Sequence, residues 1–222
     1  MARTYKWLGG IGYILTFIPY VDLVSPILVA IAWILMGRDT RERVFTILGI
    51  LMIMLFAASA VLIFVVLASL LTWMLPLGMI TQGEGMLPPG LISLLWPMLV
   101  AILVIVGLGV VVFVFDIVAH FKAAGIFDNK WFKLGGWLRI GTIIAFAVAI
   151  PLIIISVLSK GLQGILSQFT PSGPPLGVLL SILWPLAIVV VVSLLATIFS
   201  IIAFFTIPEE APQPEPPAGQ QA

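Results

Sequence analysis

Leu91-Ile92-Ser93-Leu94-Leu95-Trp96-Pro97-Met98 recurs 88 positions later as Leu179-Leu180-Ser181-Ile182-Leu183-Trp184-Pro185-Leu186. Each copy follows a proline-rich segment, Pro88-Pro89 in one case and Pro171-Ser172-Gly173-Pro174-Pro175 in the other, and each leads into a long apolar run. Serine, two bulky apolar residues, tryptophan and proline stay in step. A Trp-Pro block at the mouth of two hydrophobic segments predicts duplicated membrane hairpins, related as parallel repeats about an axis along the membrane normal.

The composition around the blocks supplies the class. Of 222 residues, 62% are hydrophobic and 9% charged, with a mean hydropathy of +1.29. A soluble domain is about 45–50% apolar and about 25% charged, so lipid must be the solvent for most of this chain. Without water, each segment must satisfy its own backbone, which leaves helices or a closed barrel. The apolar runs are continuous and far longer than a barrel strand of about 9–11 residues. The chain reads as an all-α polytopic membrane protein with six transmembrane helices arranged as three hairpins.

The hairpins follow from where prolines and charges fall. Met1 to Lys6 is a short basic start. It reads as retained, because no small-x-small cleavage site follows and the apolar pattern resumes at once. Trp7 to Gly37 is too long for one span of about 20 residues and is broken at Pro19-Tyr20-Val21-Asp22 and Ser25-Pro26. Proline removes a donor and biases its predecessor away from the helix. Residues 1–37 therefore read as a short helical hairpin, with spans at about 7–19 and 23–37 and Asp22 at the tip; a re-entrant pair and one long tilted helix are the alternatives. A basic inner loop, 38–43, separates it from the second hairpin, 44–115. The run Val44–Leu75 would extend about 48 Å as a helix, so it must tilt, project or break near Ala57-Ala58-Ser59-Ala60. Residues 116–133 mix Asp116, His120, Lys122, Asp128, Lys130 and Lys133 with Phe121, Phe127, Trp131 and Phe132. They read as an inner interfacial loop, either lying at the headgroup level with its lysines facing anionic lipid or simply solvated. The third hairpin occupies 134–207, and 208–222 is a Pro/Glu-rich tail with nothing to bury, expected to be disordered.

Charge sets the orientation. With six spans and the N-terminus inside, Arg3, Lys6, Arg38, Arg41, Arg43, Lys122, Lys130, Lys133 and Arg139 lie at the inner side, and only Lys160 lies outside. Such a positive-inside bias predicts a multi-pass protein of the cell membrane with both termini cytoplasmic.

Small residues mark seams. Gly141, Ala145 and Ala149 fall four apart on one face of the fifth span, as do Ala196 and Ser200 in the sixth. This spacing lets two backbones approach closely and is read as helix packing. Leu8-Gly9-Gly10 and Leu134-Gly135-Gly136 open the first and third hairpins alike, which extends the repeat weakly to the first.

Leu8-Gly9-Gly10-Ile11-Gly12, the Ile18-Pro19-Tyr20-Val21 turn and Ile27-Leu28-Val29 resemble a largely archaeal family of uncharacterised integral membrane proteins, domain of unknown function 996. Gly135-Gly136-Trp137-Leu138, Ile140-Gly141 and Ile202-Ala203-Phe204-Phe205 look like its later blocks. The resemblance covers the first and third hairpins and implies no activity, substrate or catalytic residue.

The side chains available for chemistry are few. There is no cysteine and one histidine, His120, which excludes disulfides, thiolate metal sites and cysteine nucleophiles. A zinc site would need carboxylates that are not clustered here, so no cofactor or metal is expected. A net charge of +1 predicts no nucleic-acid partner. Asp22 falls at an outer turn, Asp116 at the inner end of span four, and Arg139 near the inner end of span five, where it is expected to snorkel. Asp116 and Arg139 would pair at the inner interface if those spans are neighbours, fixing a register rather than catalysing. His120, alone and cytoplasmic, offers no Ser–His arrangement, and the chain reads as non-enzymatic.

The Trp-Pro blocks carry the other lead. Pro97 and Pro185 would free the carbonyls of Ser93 and Ser181, four residues earlier. Ser93, Trp96 and Pro97 with Ser181, Trp184 and Pro185 then form either a solute site on the outer side or a pair of anchored helix entries. The first reading of function is a structural, assembly or regulatory membrane component in contact with the lipid bilayer, its inner loops on anionic lipid headgroups. A homo-oligomer and a membrane-protein partner both stay open. The alternative is a passive transporter or exporter of a small neutral or apolar solute through the interface of spans three to six.

Overall fold

The computed structural model describes residues 4–77, 89–160 and 176–209, and every regular element among them is a helix. They are α1 (Thr4–Leu15), α2 (Ser25–Thr40), α3 (Arg43–Leu77), α4 (Pro89–Phe127), α5 (Lys130–Lys160), α6 (Leu176–Leu183) and α7 (Pro185–Phe205).

Four stretches, Arg43–Ala68, Met98–Phe127, Lys130–Ser159 and Pro185–Phe205, are long and apolar enough to cross a membrane. That is compatible with a multi-pass membrane protein. α1 and α2, at 12 and 16 residues, reach only about 18 and 24 Å against a hydrocarbon core of about 30 Å. The first hairpin is present with helices close to the expected lengths, each shorter than a straight crossing of the hydrocarbon core. The chain turns through residues 16–24, with Tyr20 at φ 70°, and Pro26 sits in the first turn of α2, where its missing N–H has no partner to lose.

Two boundaries differ from the sequence reading. Residues 116–133, expected to be an interfacial loop, are helical except at Asp128 and Asn129. Charged side chains near the ends of membrane helices do not stop the helix, because they pair with one another or reach water. The basic loop 38–43 likewise shrinks to Arg41 and Glu42. α3 runs unbroken through Ala57–Ala60.

The two Trp-Pro blocks part company. α4 continues through Trp96-Pro97, whereas α7 starts at Pro185 after Trp184, which keeps helical dihedrals (φ −52°, ψ −33°) and whose N–H bonds the Leu180 carbonyl at 3.0 Å. Ala187 N–H bonds the Trp184 carbonyl at 3.0 Å, a tightened first turn suited to a leading proline.

α1 packs on α2, α2 on α3, α3 on α4, α4 on α5, α5 on α7, and α7 back on α1, closing a ring in chain order. The buried core sits at one end of it. Trp33 of α2 lies at its centre, with ring centroids 5.4 Å from Phe45, 5.2 Å from His120, 6.1 Å from Phe132 and 5.2 Å from Phe204. Beyond that end the helices present apolar surface, and no residue in the most apolar stretch of α3 is fully buried. Lipid solvates such side chains as well as a protein core would, so no hydrophobic force gathers them. Glycines let the backbones close up instead. A Cβ at Gly9 or Gly10 of α1 would run into the rings of Phe204 or Phe205 of α7. At Gly135 and Gly136 of α5 it would press on His120 and Phe121 of α4, each at 3.2 Å.

Candidate functional site

The charged side chains near the ends of the long helices converge on one point. Asp116 and His120 lie one turn apart on α4, Arg139 faces them from α5, Ser200 from α7 and Tyr13 from α1. Arg139 is 7% exposed; its Nε donates to Asp116 Oδ2, its Nη1 to Ser200 Oγ at 3.0 Å and to the Gly135 carbonyl at 3.3 Å, and its Nη2 to the Tyr13 hydroxyl at 3.3 Å. The guanidinium is thus turned into the bundle, which corrects the expectation that it snorkels.

His120 is 0% exposed and has partners on two helices, which corrects the reading of it as alone. Its Nδ1 donates to the Asp116 carbonyl at 2.8 Å and lies 3.2 Å from Asp116 Oδ1; its Nε2 lies 3.2 Å from Ser200 Oγ. The order serine, histidine, aspartate is that of a nucleophile, its base and the base's orienter. The serine is otherwise engaged. Ser200 is 0% exposed, donates to the Ala196 carbonyl at 2.8 Å and accepts from Arg139. A base takes a nucleophile's proton and an acyl carbon must come within about 3 Å; here the proton is directed at the Ala196 carbonyl and the oxygen is enclosed by protein. Chemically, the arrangement neutralises a buried charge pair and surrounds it with polar groups from four helices, the Asp116 Oδ1 being buried with the His120 ring 3.2 Å away as its nearest partner.

A second polar knot ties the α4–α5 turn to the end of α7. Asn129 Oδ1 accepts from Trp131 N–H at 3.0 Å, capping α5, while its Nδ2 donates to the Ala203 carbonyl at 3.1 Å and to Thr206 Oγ1 at 3.0 Å. Asp128 before it takes φ 45°, a left-handed turn that Asp tolerates. Tyr5 donates to Asp39 at 2.8 Å, Lys122 pairs with Glu42 at 2.9 Å, and Lys6 with Glu209 at 3.7 Å. The start of α1, the α2–α3 turn, the end of α4 and the end of α7 therefore share one end of the bundle.

Of the other expected residues, Gly141, Ala145 and Ala149 face Pro185, Ile188 and Val192 of α7 across a cleft of about 290 Å³. Ala149 and Ala196 are buried. Trp96 and Trp184 are exposed. The side chains of Ser93, Pro97 and Ser181 lie outside the described residues, as do residues 210–222 of the tail. No proximity of the two serine sites is therefore described.

Sequence reasoning placed Ser200 in a packing seam and missed Tyr13, His120 and Asn129 as partners. The Asp116/His120 spacing of four was a usable signal, hidden by ending the helix at residue 115. Among the described residues, no group of His, Asp and Glu is arranged to hold a metal ion. The chain matches no protein-family model, no curated protein and no solved structure.

Proposed function

We propose that the chain is a non-enzymatic, multi-pass component of the cell membrane with a structural, assembly or regulatory role. In this reading it has six spans in three hairpins, the last two repeated, with both termini cytoplasmic. One observation carries it: the groups that chemistry would use, Ser200, His120, Asp116 and Arg139, are committed to one another inside the bundle. Such a knot fixes which faces of four helices meet. The shared end of α1 and α7, joined by Lys6 and Glu209, supports both termini lying on the basic side. Kinship with the archaeal membrane family is proposed on the Gly9-Gly10 and Gly135-Gly136 blocks, which are sites of close helix approach. The test is to purify the full chain in mild detergent and identify what accompanies it. A stoichiometric protein or lipid supports the reading. A retained small solute, or covalent labelling of Ser200 by a fluorophosphonate, overturns it.

A second reading has its own observation. A cleft of about 580 Å³, almost wholly apolar, lies between α3 and α4 against Ala57, Ala58, Val61, Met98, Ala101 and Ile105. It suits a small apolar solute moving along the repeated hairpins. An S93A/S181A double variant that loses solute flux in vesicles at unchanged stability would favour this pathway; unchanged flux would remove it.

A further inference from the structure

The turn between α2 and α3 adopts a conformation that its sequence makes difficult. α2 is capped by Arg41, which sits in the left-handed region at φ 58°, ψ 26°, while Glu42 N–H closes the cap on the Gly37 carbonyl at 3.0 Å. Glycine is the usual residue at such a cap, because a Cβ there crowds the neighbouring carbonyl. An arginine held in this position calls for a use of its side chain.

The surroundings supply one. Arg38, Arg41 and Arg43 are all exposed. They line one groove of about 340 Å³ together with Gly37, Glu42 and Thr46. Among the described residues, none of the three arginines pairs with a carboxylate, whereas Lys6 and Lys122 at the same end do. Glu42, the acid of the groove, is engaged by Lys122 at 2.9 Å. Thr46 Oγ1 lies against Gly37, where a Cβ would displace it. The first turn of α3 adds the positive end of a 35-residue helix. Three guanidiniums, a hydroxyl and a helix start form a receptor for a phosphate group.

The groove does not end in water. Ile47 borders it, and Ile47, Ile50 and Met54, spaced three and four apart on one face of α3, are 41%, 48% and 53% exposed. An apolar track running down the helix from a phosphate receptor matches an acyl chain below a headgroup. A free phosphate has no use for it.

We propose that Arg38, Arg41, Arg43 and Thr46 bind the phosphodiester headgroup of an anionic membrane phospholipid whose acyl chain lies along Ile47, Ile50 and Met54. The proposal rests on the reading of this end as the headgroup-level face of a membrane protein and gives that face a defined ligand site.

The test uses the full chain in nonionic detergent, titrated with phosphatidylglycerol or phosphatidylcholine and read by native mass spectrometry. Phosphatidylglycerol is retained in preference to phosphatidylcholine. R41G weakens its binding about fivefold, the share of one arginine at an anionic surface, while the melting temperature holds or rises as the left-handed strain is relieved. A purely structural role for Arg41 would not separate those two readouts. If R41G does lower the melting temperature, the pair R38Q/R43Q, at exposed positions, gives the same reading. Equal binding by R41G, R38Q/R43Q and the parent chain, or equal retention of the two lipids, overturns the proposal. Displacement of phosphatidylglycerol by inorganic phosphate at matching concentration overturns the lipid assignment in favour of a soluble anion. Binding in detergent is independent of topology, so failure of the membrane orientation and failure of this site are read separately.

Discussion

Arg139 of α5 and Asp116 of α4 form an ion pair inside the helix bundle, with side chains 8% and 16% exposed. A charge at the bilayer centre costs at least about 2.5–3.5 kcal/mol, and a pair buried between helices escapes much of that only while both partners are present. Removing one alone, as in R139M or D116L, is expected to destabilise the protein by about 3–5 kcal/mol, whereas replacing both with apolar residues of similar size should recover most of the loss. Thermal unfolding in detergent, run as a double-mutant cycle, measures this; additive single effects would show that the pair is uncoupled.

Ser200 connects that pair to His120, and its hydroxyl is its contribution. S200A should lower stability by only about 0.6 kcal/mol, the average for an interhelical hydrogen bond in lipid. S200L, which adds bulk where Arg139 and His120 already touch the residue, should cost about 1–3 kcal/mol. The same melting assay separates the two, and an S200L protein as stable as S200A would refute the close packing around α7.

The crossing of α1 and α7 depends on Gly9 being bare, because a Cβ there meets the Phe204 ring. G9A should be destabilising by about 1–3 kcal/mol as an overpacked core position. Adding F204L should restore part of that stability by removing the ring. A G9A chain that unfolds no earlier than the parent would contradict the α1–α7 contact.

Asn129 caps α5 and reaches across to Ala203 and Thr206. N129A loses the cap and the donor shared by the Ala203 carbonyl and Thr206 Oγ1, so a loss of about 1–2 kcal/mol is expected. N129D keeps the capping oxygen but not the donor, and should fall between. If N129D is as stable as the parent chain, the bridge to α7 contributes nothing measurable.

Topology is open to a direct test, since the chain has no cysteine. Single cysteines at Thr40 and Lys130 should be labelled by an impermeant thiol reagent only in inverted or opened vesicles. One at Tyr20, which is 91% exposed at the tip of the first hairpin, should be labelled in intact cells. Labelling at Thr40 in intact cells would reverse the orientation drawn from the basic residues.

What the sequence determined by itself was the solvent, the element type and the segregation of charge. Long uninterrupted apolar runs require helices in lipid whatever their neighbours do, and Pro19 to Pro26 required a turn on local sterics. The close-approach glycines at 9, 10, 135 and 136 were visible as motifs, though not the helices they would touch. The tertiary structure decided the partners. Tyr13 and Arg139 are 126 positions apart, His120 and Ser200 are 80 apart, and a helix apolar on every side gives no hint of which face turns inward. In water, amphipathic periodicity reveals that face. In lipid, burial of leucine or valine against protein gains little over burial against acyl chains, so contact between helices is set by small residues and by the few polar groups that must find one another. That is why the sequence could bring Asp116 and Arg139 together only on the condition that their helices were neighbours, and why only the folded chain added Tyr13, His120 and Ser200. The same reasoning applies to the Trp-Pro blocks. Their repetition was plain in the sequence, yet one proline passes within α4 and the other starts α7.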